Sequence, residues 1–260
     1  MIKQLLITFL SLSISLQVFA WGKTGHHIVA EIAFKKLDKR TRKNVLCYLQ
    51  GMSIEDAATW MDDVRKDPSY DFMKPFHYIN ATKGTDPERT ANENIVSVIE
   101  KTINELKNPQ QLSKEDIKTR LCYLFHLVGD LHQPLHVGYE TDKGGNTVAV
   151  YLHGKKENLH WLWDDLMIQD KKIGLKQCLR VKRTATQRKK LTEIDVLQWA
   201  KESRSYLPKV YALSLPNIDE QYEAEAAPII KSQLNIAGWR LAAILKTCFG
   251  KNAALNKCAS

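Results

Sequence analysis

Apolar residues recur at helical spacing along most of the chain. In residues 24–37, Ile28, Val29, Ile32, Ala33 and Leu37 fall on one side of a helix. Ser53 is placed to cap a second helix, through Trp60 and Val64. Residues 89–107 repeat Ile95, Val98, Ile99, Ile103 and Leu106. Ser113 opens the next helix, with Ile117, Leu121, Leu124, Phe125 and Val128 on one side, and Thr192 opens another through Val196, Leu197 and Trp199. A final long run reaches from about Glu220 to Phe249, with Pro228 predicting a kink and Gly250 a stop. One segment breaks the period. After the turn signal Gly144-Gly145-Asn146, Val148, Val150 and Leu152 alternate, and Gly154 with Lys155 and Lys156 signals a further turn. The predicted class is all-α with one short β-hairpin.

Composition changes this picture little. The 260 residues are 44% hydrophobic and 26% charged, which excludes disorder and low complexity. A chain of this length buries a sizeable core without needing a metal to hold it, so metal ligands call for a functional explanation. With no repeat and no Pro/Gly/Ser linker, residues 21–260 read as a single domain. The first twenty residues read differently. Lys3 precedes an uncharged apolar run from Leu5 to Phe19, ending in Val18-Phe19-Ala20, the pattern of a signal peptide. Cleavage after Ala20 would make Trp21 the N-terminus and direct the protein to a secreted or periplasmic location, with no stable membrane insertion.

The net charge is +9, and residues 171–190 hold nine Lys or Arg and no acid. Without that strip the chain is close to neutral, so the basic excess has one address, as expected of a polyanion binder. Five cysteines, Cys47, Cys122, Cys178, Cys248 and Cys258, suit an oxidising compartment. Cys122 is expected as a buried thiol and Cys248 with Cys258 as a disulfide pair.

The histidines cluster. His126, His132 and His136 accompany Asp130 within eleven residues, and His160 precedes Asp164. His126 with Asp130, and His160 with Asp164, stand four residues apart, one turn along a helix face, where both side chains reach the same ion. Pro134 breaks the helix and lets His136 swing toward the same region. Imidazole nitrogen and carboxylate oxygen are zinc donors.

Trp21-Gly22-Lys23-Thr24-Gly25-His26, the HLVGDLHQPLH run and Asn158-Leu159-His160 before Trp163-Asp164 resemble the trinuclear-zinc, single-strand-specific nucleases and 3′-nucleotidases of fungi, plants and bacteria. Their superfamily also holds bacterial zinc phospholipase C. The resemblance covers essentially all of residues 21–250 and implies a mainly helical, secreted enzyme cutting RNA and single-stranded DNA to 5′-nucleotides. It also implies three Zn²⁺. The first would be held by Asp62, His77, His126 and Asp130, and the second by His136, His160 and Asp164. The third would take the α-amine and carbonyl of Trp21, His26 and a bridging Asp130. His132 is expected to orient a ligand, while His27 and His153 remain plain surface or core residues. Asp62 would orient or deprotonate the attacking water, and Arg65, one turn on, would clamp a phosphate oxygen. Tyr78, Asn80 and Met61 occupy the family's base-binding positions, where fungal members carry an aromatic and an Asp in place of Met61 and Asn80.

Three divalent ions against three aspartates leave such a cluster positive, a trap for a phosphodiester and its transition state. The expected partners are RNA, single-stranded DNA and nucleotides, bound by a monomer. A zinc phospholipase C is the nearest rival. The five-residue gap from Trp21 to His26, Asp164 as the last ligand and the basic strip favour nucleic acid. A non-catalytic secreted zinc-binding protein fits less well, because the ligands are too few to close three coordination shells.

Overall fold

Each long apolar-periodic segment becomes a helix in the computed structural model, which describes residues 21–212 and 216–258. The leader read in residues 1–20 lies outside the described residues. In chain order the helices begin with α1 (Lys23–Lys36), α2 (Lys39–Tyr48), α3 (Ile54–Val64), α4 (Ile95–Lys107) and α5 (Lys114–Leu131). A hairpin of β1 (Ala149–Leu152) and β2 (Lys155–Asn158) follows. Then come α6 (Leu159–Trp161), α7 (Met167–Asp170), α8 (Leu175–Leu179), α9 (Ala185–Lys190), α10 (Val196–Arg204), α11 (Leu207–Val210) and α12 (Glu220–Phe249). The architecture is therefore helical with one antiparallel hairpin, as the patterning predicts.

Caps explain the boundaries. Ser53 accepts from Asp56 N at the head of α3, and Ser113 from Asp116 N at the head of α5, which satisfies otherwise orphaned first-turn donors. Two starts differ from expectation for the same reason. α4 begins at Ile95 rather than near 89, because Asn94 and Ser97 form a reciprocal capping box. α10 begins at Val196 rather than Thr192, because Asp195 accepts from Gln198 N. α12 continues through Pro228 and ends at Gly250. In the hairpin, Leu152 pairs with Lys155, so Lys155 and Lys156 belong to β2 and the turn is only His153-Gly154. Both turn residues have positive φ, at 49° and 78°, the twist a two-residue hairpin turn requires.

α5 and α12 run through the core. α12 buries Ile230, Leu234, Ala237, Leu241 and Ile244, and α1 contributes Val29, Ile32 and Ala33. The two helices approach so closely that a Cβ on Gly238 would lie 2.5 Å from Ile32 Cβ. α2 escaped the sequence pattern because two of its buried positions, Thr41 and Asn44, are polar. Asn44 Nδ2 donates to Phe249 O (2.9 Å) and Asn256 O (2.7 Å), which draws the C-terminal tail back over α2. That tail decides the disulfide. Cys258 bonds Cys47, not Cys248, which is buried within α12 as a free thiol. Cys122 is a buried thiol as expected. The basic strip lies on the surface around α8 and α9, although Arg183 is engaged by Asn235 and Ser232. No helix among the described residues is long and apolar enough to cross a membrane.

Candidate metal centre

Asp130, fully buried near the end of α5, is the hub of a cluster of imidazoles. His77 Nδ1 lies 2.9 Å from its Oδ2, and His126 Nε2, one turn back on the same helix, 3.3 Å from that oxygen. His26 Nε2, from the first turn of α1, is 3.3 Å from Oδ1, and His136 Nδ1 is 3.9 Å from Oδ2. Asp62, in the last turn of α3, sits 3.8 Å from His126 Nε2 and accepts from Arg65 Nη1 at 3.2 Å. Beside this group, His160 Nε2 is 3.1 Å and His136 Nε2 3.7 Å from Asp164. Asp164 belongs to a π-helical turn (Leu162–Leu166), a rare element that recurs at functional sites.

Second hydrogen bonds aim the rings. His126 Nδ1 lies 2.8 Å from Ala58 O, His136 Nδ1 2.6 Å from His77 O, and His160 Nδ1 2.6 Å from Gly144 O. A carbonyl only accepts, so each Nδ1 carries a proton and each Nε2 faces the cluster, where it can bind an ion once it holds no proton of its own. Gln133 Nε2 donates to Asp164 Oδ1 at 2.5 Å. Gly129 leaves room for His26, since a Cβ there would stand 2.9 Å from its Nδ1.

The donor atoms suit a cation. His26 Nδ1 and Nε2, His77 Nε2, His136 Nε2, His160 Nε2, Asp130 Oδ1 and Asp164 Oδ2 are all buried with no hydrogen-bond partner. Orphaned buried polar atoms cost about 1–3 kcal/mol each, so this concentration calls for a ligand. Three sets lie within bonding reach of an ion: His26, Asp62 and His126; His77, His126 and Asp130; His136, His160 and Asp164. The charges already lean that way. Burial opposes ionisation of Asp130, but the imidazoles of His126 and His136 outweigh it and hold the carboxyl well below its usual range. Burial pushes His77 down to about 4, which keeps it a neutral donor. His126 is the exception: burial is outweighed by Asp130 and Asp62, which raise it to about 9, so a bound cation would displace a proton from its Nε2.

A sequence model of the S1/P1 nuclease family matches residues 21–250. The chain belongs to that family. Endonuclease 2 of Arabidopsis thaliana is 26% identical over 95% of this chain and 96% of its own length. Nuclease S1 of Aspergillus oryzae is 25% identical over 92% and 95%, and Nuclease P1 of Penicillium citrinum 28% over 59% and 60%. This S1/P1 nuclease is thus an enzyme of nucleic-acid hydrolysis, built on His/Asp groups able to hold metal.

Other expected site residues fall in different places. Trp21 is fully buried, and its indole Nε1 donates to Gly129 O at 2.8 Å while Gly22 N donates to Asp164 O at 2.8 Å. Tyr78 is 45% exposed beside His77, whereas Met61 is 0% exposed within the hydrophobic core and presents no face to a base. Asn80 is half-buried, and its Oδ1 has no partner. His132 does not orient a ligand. Its Nδ1 lies 2.7 Å from Val128 O and its Nε2 accepts from Arg240 Nη1 at 2.9 Å. Two supporting residues escaped the sequence reading. Gln133 could have been singled out, since it stands inside the HLVGDLHQPLH run. Arg204 had no local signal. Its guanidinium donates to the carbonyls of Ala81, Thr82, Thr85, Val137 and Gly138, binding the segments that follow His77 and His136 into one unit.

Proposed function

We propose that this nuclease hydrolyses phosphodiester bonds of RNA and single-stranded DNA to 5′-phosphorylated products, with 3′-nucleotidase activity, at a centre of three Zn²⁺. The observation behind this reading is the single Asp130 carboxylate within reach of four imidazoles, surrounded by buried donors that have no protein partner. Asp62, His77, His126 and Asp130 form one ligand set, and His136, His160 and Asp164 a second. His26 and Asp130 form the third together with the main chain of Trp21. Bound zinc would supply a Lewis acid for the phosphodiester and acidify the attacking water toward a pKa of about 7.

The residues of the chain do the rest. Asp62, at the rim with 11% of its side chain exposed, accepts a proton from or orients the water. Arg65, already paired with Asp62 and 24% exposed, offers its guanidinium to a phosphate oxygen. Tyr78 stacks on a base and Asn80 meets the base edge with its unpartnered Oδ1. A single strand supplies unstacked bases directly, while a duplex must first open at a few kcal/mol per base. The buried seat of Trp21 supports a role for a freed N-terminus, created by export to a secreted or periplasmic location.

The test compares protein beginning at Trp21 with protein carrying an extension before it. Zinc content, and release of 5′-nucleotides from homopolymer RNAs, are measured with and without chelator. The processed form is expected to hold one more zinc and to turn over far faster. Full activity of the extended form rules out the amine ligand, and activity that survives complete zinc removal rules out the metal centre.

A further inference from the structure

A second group of donors meets on the surface and shares no residue with the buried centre. His153 occupies the first position of the hairpin turn, Asp170 ends α7, and Glu223 lies in the first turn of α12. One ligand atom from each lies within 4.8 Å of the other two. His153 Nε2 is 2.8 Å from Asp170 Oδ1. Glu223 is only 3% exposed, and its Oε1 is buried without a hydrogen-bond partner. Its other oxygen closely contacts the Lys171 ammonium, which is also 3.1 Å from Asp170 Oδ2.

The charges do not balance. Two carboxylates face one ammonium, and one of the carboxylates is desolvated with an oxygen left unsatisfied. That arrangement is unfavourable, because a buried acceptor without a partner keeps its desolvation penalty. One imidazole nitrogen with two carboxylates is a donor set for Zn²⁺, leaving a fourth position to water. Donors about 2 Å from a tetrahedral ion stand roughly 3.4 Å apart, within the spread seen here.

We propose that His153, Asp170 and Glu223 form an additional Zn²⁺ site, in which the ion displaces the Lys171 ammonium from between the two carboxylates. The site joins three elements that are otherwise distant in sequence: the hairpin turn, α7 and the head of α12. α7 continues directly from the turn that bears Asp164, so the ion steadies the wall of the nuclease centre from outside. Lys171 serves as an internal stand-in cation at low zinc, which makes the site weaker than the buried ones.

Zinc titration of the full chain tests this, with the wild type compared against His153→Ala and Lys171→Gln. Zinc at the buried centre cancels in the comparison, whatever its count, and both substitutions lie at exposed or half-exposed positions. The wild type is expected to take up one more, weaker equivalent than His153→Ala. Lys171→Gln should bind that equivalent at least tenfold more tightly. Thermal unfolding should rise with added zinc, beyond saturation of the centre, in the wild type but not in His153→Ala. Equal stoichiometry and equal zinc response in the wild type and His153→Ala overturn the site. Unchanged affinity in Lys171→Gln overturns the displacement of the lysine.

Discussion

Gln133 shows how much of the centre rests on side chains that touch no ion. Its amide holds Asp164 Oδ1 while its own carbonyl accepts from Leu135 N, so it orients a carboxylate and a turn together. Gln133→Ala is expected to weaken zinc binding at His136, His160 and Asp164 by roughly 10–100-fold, the usual effect of removing such a support. Competition with a chelator measures this, and unchanged affinity would show that the contact is idle. His132 makes a prediction of a different kind. Burial, then the Arg240 guanidinium, push its pKa well below the usual histidine value. The unfolded chain therefore binds a proton at His132 more readily than the folded one does. Stability from this group is complete above about pH 6.5 and is lost as the pH falls below it. Denaturant unfolding at pH 7.5 and 5.5 should show a smaller acid loss in His132→Gln than in the wild type. An identical loss in both removes His132 from the account.

Among the elements, the long helices with an apolar stripe are legible in the sequence even where they also bury polar side chains, and α2, which lacks such a stripe, is not. α1, α4, α5 and α12 declare themselves through Ile, Leu and Val at helical spacing. α2 does not, because Thr41 and Asn44 face inward to meet hydrogen-bond partners that only the tertiary structure supplies. The His/Asp spacing on α5 and before Asp164 marked the centre, since each pair is local. Arg204 is invisible locally because its partners lie 66 to 123 residues away. The disulfide differs from the expected Cys248–Cys258 pair for a related reason. Sequence proximity favours Cys248, but the path of the tail over α2 brings Cys258 to Cys47. Close helix contact is equally unreadable locally. Gly238→Ala raises helix propensity by up to about 1 kcal/mol, yet its methyl would collide with Ile32, and overpacking costs about 1–3 kcal/mol. The expected net loss is on the order of 1 kcal/mol, read as a lower denaturant midpoint. Combining it with Ile32→Gly, which removes the colliding Cβ and Cγ2, should make the two losses less than additive, whereas simple additivity would mean the methyl finds room.

At the scale of the whole molecule, the Cys47–Cys258 bond spans 211 positions and ties the tail to α2. Closing so long a loop restricts the unfolded chain strongly, and removing a native disulfide typically costs 2–5 kcal/mol. Cys47→Ser is expected to lose stability in that range by denaturant unfolding, and mild reductant should lower the wild type to the same level. If both changes leave the midpoint untouched, the bond is incidental. All the candidate ligands of the nuclease centre except Trp21 and His26 lie between the two sulfurs in sequence. Reducing that one bond is therefore expected to free the tail from α2 and leave the enclosed stretch of chain more open to proteolytic cutting than in the oxidised protein.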